Sequence, residues 1–136
     1  MALVVPDVGA AYILGKVFGA AASLTLRLYA TNVTPADAST NASFTTAAGG
    51  GYADKTLAGA WTVGDDGGGI QQAAFAQQTW TFTGALTTNP TIYGYEVLDG
   101  TTLIFAELLP APFTPATNGD QLKITPVFKS SKGTPT

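Results

Sequence analysis

The sequence predicts a mainly β protein: a single antiparallel β-sandwich, immunoglobulin-like or jelly-roll-like, with one short N-terminal helix. Three observations lead there. Apolar residues recur with period two in several short runs. Clusters of Gly, Pro, Asn and Asp separate those runs. The composition, with 22 Ala, 21 Thr and 16 Gly in 136 residues and neither His nor Cys, suits a packed β scaffold better than an active site. Without His and Cys there is no Ser-His-Asp triad, cysteine nucleophile, common zinc site or disulfide.

The helix comes first. Pro6-Asp7 can start it, with Asp7 as cap or first-turn acid favoured by the helix dipole. Val8 and Tyr12, Ile13 and Val17, and Leu14 and Phe18 are pairs at helical spacing. Gly15 weakens the helix and Gly19 ends it. A helix this short is marginal alone, so it must dock on something.

From Ser23 the period changes to two. Leu24, Leu26 and Leu28 alternate with Thr25, Arg27 and Tyr29, the pattern of a half-buried strand. Residues 30–48 form a long polar loop closed by Gly49-Gly50-Gly51, which is read as a flexible turn. Residues 52–63 hold one or two short strands, and Asp65-Asp66-Gly67-Gly68-Gly69 is a turn. Short strands are expected at 73–75 and 79–83, the latter with Trp80 and Phe82 directed to the core. Residues 92–98 and 103–108 flank Asp99-Gly100-Thr101-Thr102, a hairpin signal. Pro110, Pro112 and Pro115 exclude a central strand there. A last strand or pair follows at 122–129. Both faces of the 92–108 hairpin are rich in apolar residues, so either the N-terminal helix or another subunit should cover one of them. The length fits one domain, 1–136, with 1–20 as an arm and helix and 130–136 as a flexible tail.

Charge narrows the partners. The net charge is −3, and the six basic residues Lys16, Arg27, Lys55, Lys123, Lys129 and Lys132 are scattered. No basic stripe follows a phosphate backbone, which argues against direct nucleic-acid binding. Neither a polybasic anchor nor a long apolar run argues for a membrane. Pro6, Asp7 and the late Lys16 are unlike a signal peptide, despite Ala20-Ala21-Ala22.

Glu96 and Glu107 come nearest to a catalytic pair. With a two- or four-residue turn at 99–102 they project to one face of the hairpin. With the longer turn they are diagonal neighbours, roughly 7–8 Å apart at the backbone. Glycosidases use such pairs, but no third polar group accompanies these two, so they are read as solvated or interface acids. No catalytic residue, cofactor or metal ligand is assigned, and the chain is not read as an enzyme. Asp65-Asp66 lacks the alternating acidic spacing of a calcium loop, and Gly49-Gly50-Gly51 lacks the Lys-Ser/Thr of a phosphate loop. Asn32-Val33-Thr34 and Asn41-Ala42-Ser43 are formal glycosylation sequons that carry little weight without a signal peptide. Trp61, Trp80, Tyr52, Tyr93 and Tyr95 could stack on sugars or serve a core or an interface.

The order of motifs adds a further indication. It runs Val5-Pro6-Asp7-Val8-Gly9, then Leu24-Thr25-Leu26-Arg27-Leu28-Tyr29 and Asn32-Val33-Thr34-Pro35. Gly51-Tyr52-Ala53, Lys55-Thr56-Leu57, Trp61 and Thr81-Phe82-Thr83-Gly84 follow. Ile92-Tyr93-Gly94-Tyr95, Ala106-Glu107, Phe113, Gly119-Asp120 and Ile124-Thr125-Pro126 complete it. Spread over most of the chain, this order resembles a family of small structural proteins of tailed bacteriophages and their metagenomic relatives. The resemblance implies a virion structural protein, and the reading adopted is a capsid decoration (cement) protein. It would be made in the host cytoplasm and sit on the capsid surface. Its partners would be further copies of itself, as a trimer, and the major capsid protein. The interface residues expected on this reading are Val5, Val8, Tyr12, Phe18, Tyr52, Trp61, Tyr93 and Tyr95, with the 30–48 loop and the tail as further contacts. The alternative is a tail, fibre or host-surface module that binds glycans through Tyr52 and Trp61.

Overall fold

The computed structural model describes residues 5–19 and 23–130. Its elements are helix α1 (Asp7–Val17), strands β1 (Ser23–Tyr29), β2 (Lys55–Ala58), β3 (Thr62–Asp65), β4 (Gln71–Ala74) and β5 (Gln78–Thr81), then β6 (Ile92–Asp99), β7 (Thr102–Phe113), β8 (Gln121–Ile124) and β9 (Val127–Lys129). A short 3-10 turn spans Asn41–Ser43. The protein is mainly β and antiparallel, with a single α-helix among the described residues. The 1–4 part of the expected arm and the 131–136 part of the expected tail lie outside the described residues.

By its internal contacts the chain gathers into two compact units. Unit 1 contains α1 and residues 58–77 and 125–130. Its sheet has the order β3-β4-β9. The β3–β4 turn is held by its carboxylates: Asp65 Oδ1 accepts from the Gly67 amide at 2.7 Å, and Asp66 Oδ1 from the Gly68 amide at 2.8 Å. These Asx bonds are why two aspartates before three glycines make a hairpin. α1 begins after Pro6, whose fixed φ and missing N–H suit a helix entry. It docks on β3 and β4. Its anchors are Leu14 and Phe18, both buried. Phe18 stacks against Trp61 at 4.7 Å and Phe128 at 5.4 Å, and its carbonyl accepts from the Trp61 amide at 3.0 Å.

Unit 2 contains residues 23–57 and 78–124. Its main sheet has the order β2-β1-β6-β7, and β5 pairs with β8. The two layers meet sandwich-fashion, with Phe82 against Phe113 at 5.8 Å and the Trp80 Nε1–H donating to the Ala53 carbonyl at 2.8 Å. Leu24, Leu26 and Leu28 point into the core, as their alternation predicts. β6 is central and buried on both faces. On the neighbouring β1, Phe44 stacks on Tyr29 at 4.6 Å. The 41–54 segment therefore packs on this sheet, through Phe44 on Tyr29 and through Asn41 and Asp54 on Arg27.

β7 runs through Pro110 and Pro112 because it is the edge strand, where a missing N–H is tolerated. Between Gly94↔Leu108 and Ile92↔Phe113 its register shifts, leaving residues 109–112 in a bulge. The Gly49-Gly50-Gly51 turn is packed rather than free. All three glycines have positive φ (82°, 58° and 76°), and a Cβ on Gly49 would lie 2.4 Å from Thr87 Cγ2. Only glycine accepts both the dihedrals and the contact.

Candidate functional site

Two features stand out, one in each unit. The first is the outward face of α1. Apart from Asp7 and Lys16 the helix carries only apolar, glycine and tyrosine residues around its whole circumference. Docking consumes Leu14 and the adjoining Phe18. Val8 remains 81 % exposed and Tyr12 66 %, with Val5, Ile13 and Val17 also exposed. A helix apolar on all sides is ordinarily buried on all sides. Lys16 extends over the Tyr12 ring, its Nζ 5.2 Å from the centroid, so the helix's cation lies along aromatic surface.

The second feature is a charged cluster inside unit 2. Arg27 on β1 and Glu96 on β6 are directly opposite in the antiparallel register. Glu96 is fully buried, and neither of its carboxylate oxygens has a hydrogen-bond partner among the described residues. Its nearest cation is the Arg27 guanidinium, with Nη1 3.9 Å from Glu96 Oε1. Arg27 spends its closer contacts elsewhere: Nε and Nη2 lie 3.1 Å from Asp54 Oδ2, and Nη1 donates to Asn41 Oδ1 at 3.2 Å. The Tyr52 hydroxyl donates to Asp54 Oδ1 at 2.7 Å and accepts from the Leu28 amide at 2.8 Å.

The electrostatics follow from this geometry. Burial pushes the Glu96 carboxyl up to about 7, with Arg27 pulling it down and Asp54 adding to the rise. Burial also raises the Tyr52 hydroxyl, helped by its bond to Asp54. Tyr29 is pushed up to about 12 by burial and by the charges of Glu96 and Glu107.

The register revises the expected carboxylate pair. A one-residue bulge at Ile104 falls between Val97↔Phe105 and Leu98↔Leu103. It places Glu107 opposite Tyr95, and Glu96 opposite Ala106. One extra residue inverts the side-chain alternation, so the two glutamates occupy opposite faces of the sheet. Glu107 accepts a short hydrogen bond from the Tyr95 hydroxyl. The geometry offers no shared glycosidase-like site between them.

The residues singled out from sequence are distributed as follows. Val5, Val8 and Tyr12 share the exposed face of α1. Phe18 and Trp61 meet in the core of unit 1, so the Trp61 ring is not presented to a sugar. Tyr52 belongs to the Arg27 cluster, and Tyr95 is buried beside Glu107. Tyr93 lines an open depression of about 290 Å³ with Ala30, Thr31, Asn32, Asn89 and Thr91. From sequence, Arg27 is only one of six scattered bases, Asn41 only part of a sequon, and Asp54 carries no role. The available signal was a single charge in each of two otherwise uncharged strand runs, Arg27 within 23–29 and Glu96 within 92–98. Such charges seek partners because burying one alone is costly. No helix among the described residues is long and apolar enough to cross a membrane.

Compared with known protein families, with curated proteins and with solved structures, the chain matches none.

Proposed function

We propose that the protein is a virion structural protein of a tailed bacteriophage, a capsid decoration protein that assembles as a homotrimer over the major capsid protein. The observation that carries this reading is the outward face of α1, where Val5, Val8, Tyr12, Ile13 and Val17 remain exposed beside Lys16. Large apolar side chains left exposed together on one helix mark association with another macromolecule. Low charge suits it to that role, since few ions need desolvating when copies meet. The family resemblance of the motif order supplies the virion setting. The work done is mechanical: apolar burial between copies and onto the shell resists internal pressure.

The test has two parts. Light scattering after size exclusion should give a discrete trimer for the wild-type chain and a smaller species for Val8→Ser combined with Tyr12→Ser. A wild-type monomer unaffected by those changes would overturn the assembly through α1. Peptide mass spectrometry of gradient-purified virions should detect the chain at structural copy number, and its absence would overturn the virion assignment.

The depression beside Tyr93 favours a second reading, glycan binding at Tyr93 rather than at Tyr52 and Trp61. An aromatic ring flanked by Asn32, Asn89 and Thr hydroxyls suits a sugar ring, which offers both apolar C–H and hydroxyl surface. Glycan-array binding abolished by Tyr93→Ala would support it, and an array without hits would end it.

A further inference from the structure

We propose that Glu96 and Arg27 form a proton-operated latch that governs how firmly the 41–54 segment is held on the main sheet of unit 2. The geometry supplies two seats for one guanidinium. In the observed arrangement Arg27 sits outward, bound to Asp54 through Nε and Nη2 and to Asn41 through Nη1. The inner seat is the Glu96 carboxylate, fully buried and without a hydrogen-bond donor among the described residues. Nη1 stands 3.9 Å from Glu96 Oε1, so an inward movement of about 1 Å brings it to hydrogen-bond length.

Protonation decides between the seats. When Glu96 takes a proton from water it is neutral and exerts no pull. Arg27 then belongs to Asp54 and Asn41, which tie the 41–54 segment down. When Glu96 loses the proton, a buried anion stands beside the cation with no other donor. A buried charge attracts far more strongly than the partly solvated Asp54, so the guanidinium is drawn inward and its hold on Asn41 and Asp54 weakens. The other titratable groups around Glu96 do not compete for this role. On β1, Tyr29 donates to the carbonyls of Val33 and Glu107 and stays protonated across the neutral range. Tyr52 also stays protonated. The Glu107 carboxylate lies on the opposite face. Lys55 lies over the Trp80 ring, 5.7 Å from its centroid.

Two N–H groups report on the outer seat. The Leu28 amide donates to Tyr52, which is bonded to Asp54, and the Trp80 indole donates to the carbonyl of Ala53. The experiment is a ¹⁵N–¹H NMR titration of the full chain from pH 5 to 8.5, with the Trp61 indole of unit 1 as internal reference. Both reporters should shift together with one midpoint near neutrality, while the Trp61 signal stays still. Glu96→Gln should abolish the titration and hold both signals at their low-pH positions. Asp54→Asn should move the midpoint down, because Asp54 raises the proton affinity of Glu96. Flat reporters in the wild-type chain, or a titration that survives in Glu96→Gln, would overturn the latch. The Asp54→Asn result keeps the test decisive should Glu96→Gln fail to fold.

Discussion

Replacing Glu96 by glutamine should remove the dependence of stability on pH in the neutral range. Glu96 is fully buried without a hydrogen bond, and its carboxyl is raised from an ordinary 4.5 to about 7. The folded state therefore holds the proton more tightly than the unfolded chain. Its contribution to stability is fully present below about pH 4.5, declines as pH rises, and is gone above about pH 7. A rise from 4.5 to about 7 corresponds to about 3 kcal/mol. With an unfolding entropy of about 2.1 cal/mol/K per residue, that is about 10 °C in Tm for a chain of this length. The change in slope is the reading to take, not the absolute stability. The amide introduced by Glu96→Gln would inherit the same partnerless site, and an unsatisfied buried polar group costs about 1–3 kcal/mol at every pH. The assay is differential scanning calorimetry between pH 5 and 8. This window avoids the acid limb, where Asp66 and Asp120 act with opposite sign. Their carboxyls are held low mainly by backbone amides, so their contributions are present above the unfolded pKa and lost as pH falls through the folded one. The wild-type Tm should fall by most of about 10 °C across the window and that of Glu96→Gln should stay level. A level wild-type profile, or an unchanged slope in the variant, would refute the argument from burial.

Gly94→Ala should be among the most damaging small changes, because its Cβ would sit 2.2 Å from the Tyr29 hydroxyl and 2.4 Å from the Glu107 carbonyl. A loss of about 3 kcal/mol or failure to fold is expected by chemical denaturation, and an unchanged midpoint would contradict the close approach of Tyr29. Phe18→Ala should cost about 3–5 kcal/mol and shift the Trp61 fluorescence to the red, since it strips one wall from that indole. The pair Val8→Ser and Tyr12→Ser touches no core contact of unit 1, so the stability of the dissociated chain should change by less than about 0.5 kcal/mol. A large loss would mean that these side chains serve the fold rather than assembly.

Much of the local structure was legible from residue order alone. The alternation of Leu24, Leu26 and Leu28, the Pro6-Asp7 helix entry, the Asp-Gly turns and the hairpin around 99–102 each express a preference between near neighbours. Such preferences act over a few residues, so a window of sequence contains their cause. The same local logic misplaced Glu107, because one bulged residue at Ile104 inverts every side chain beyond it and carries no compositional mark. It also reads residues 30–48 only as a long polar loop and the three glycines as a flexible turn. Phe44 and Ala47 in fact seal the loop, and the glycines are required by contacts with Thr87 and Gly84. Most of all, Arg27, Asn41, Asp54 and Glu96 become a site only when β1, β6 and the 41–54 segment are brought together. Composition and periodicity determined that this chain would be built of short antiparallel strands behind one helix. Tertiary structure decided which charge is sealed from water and which apolar face is left open to it, because burial is a property of what the rest of the chain places over a residue.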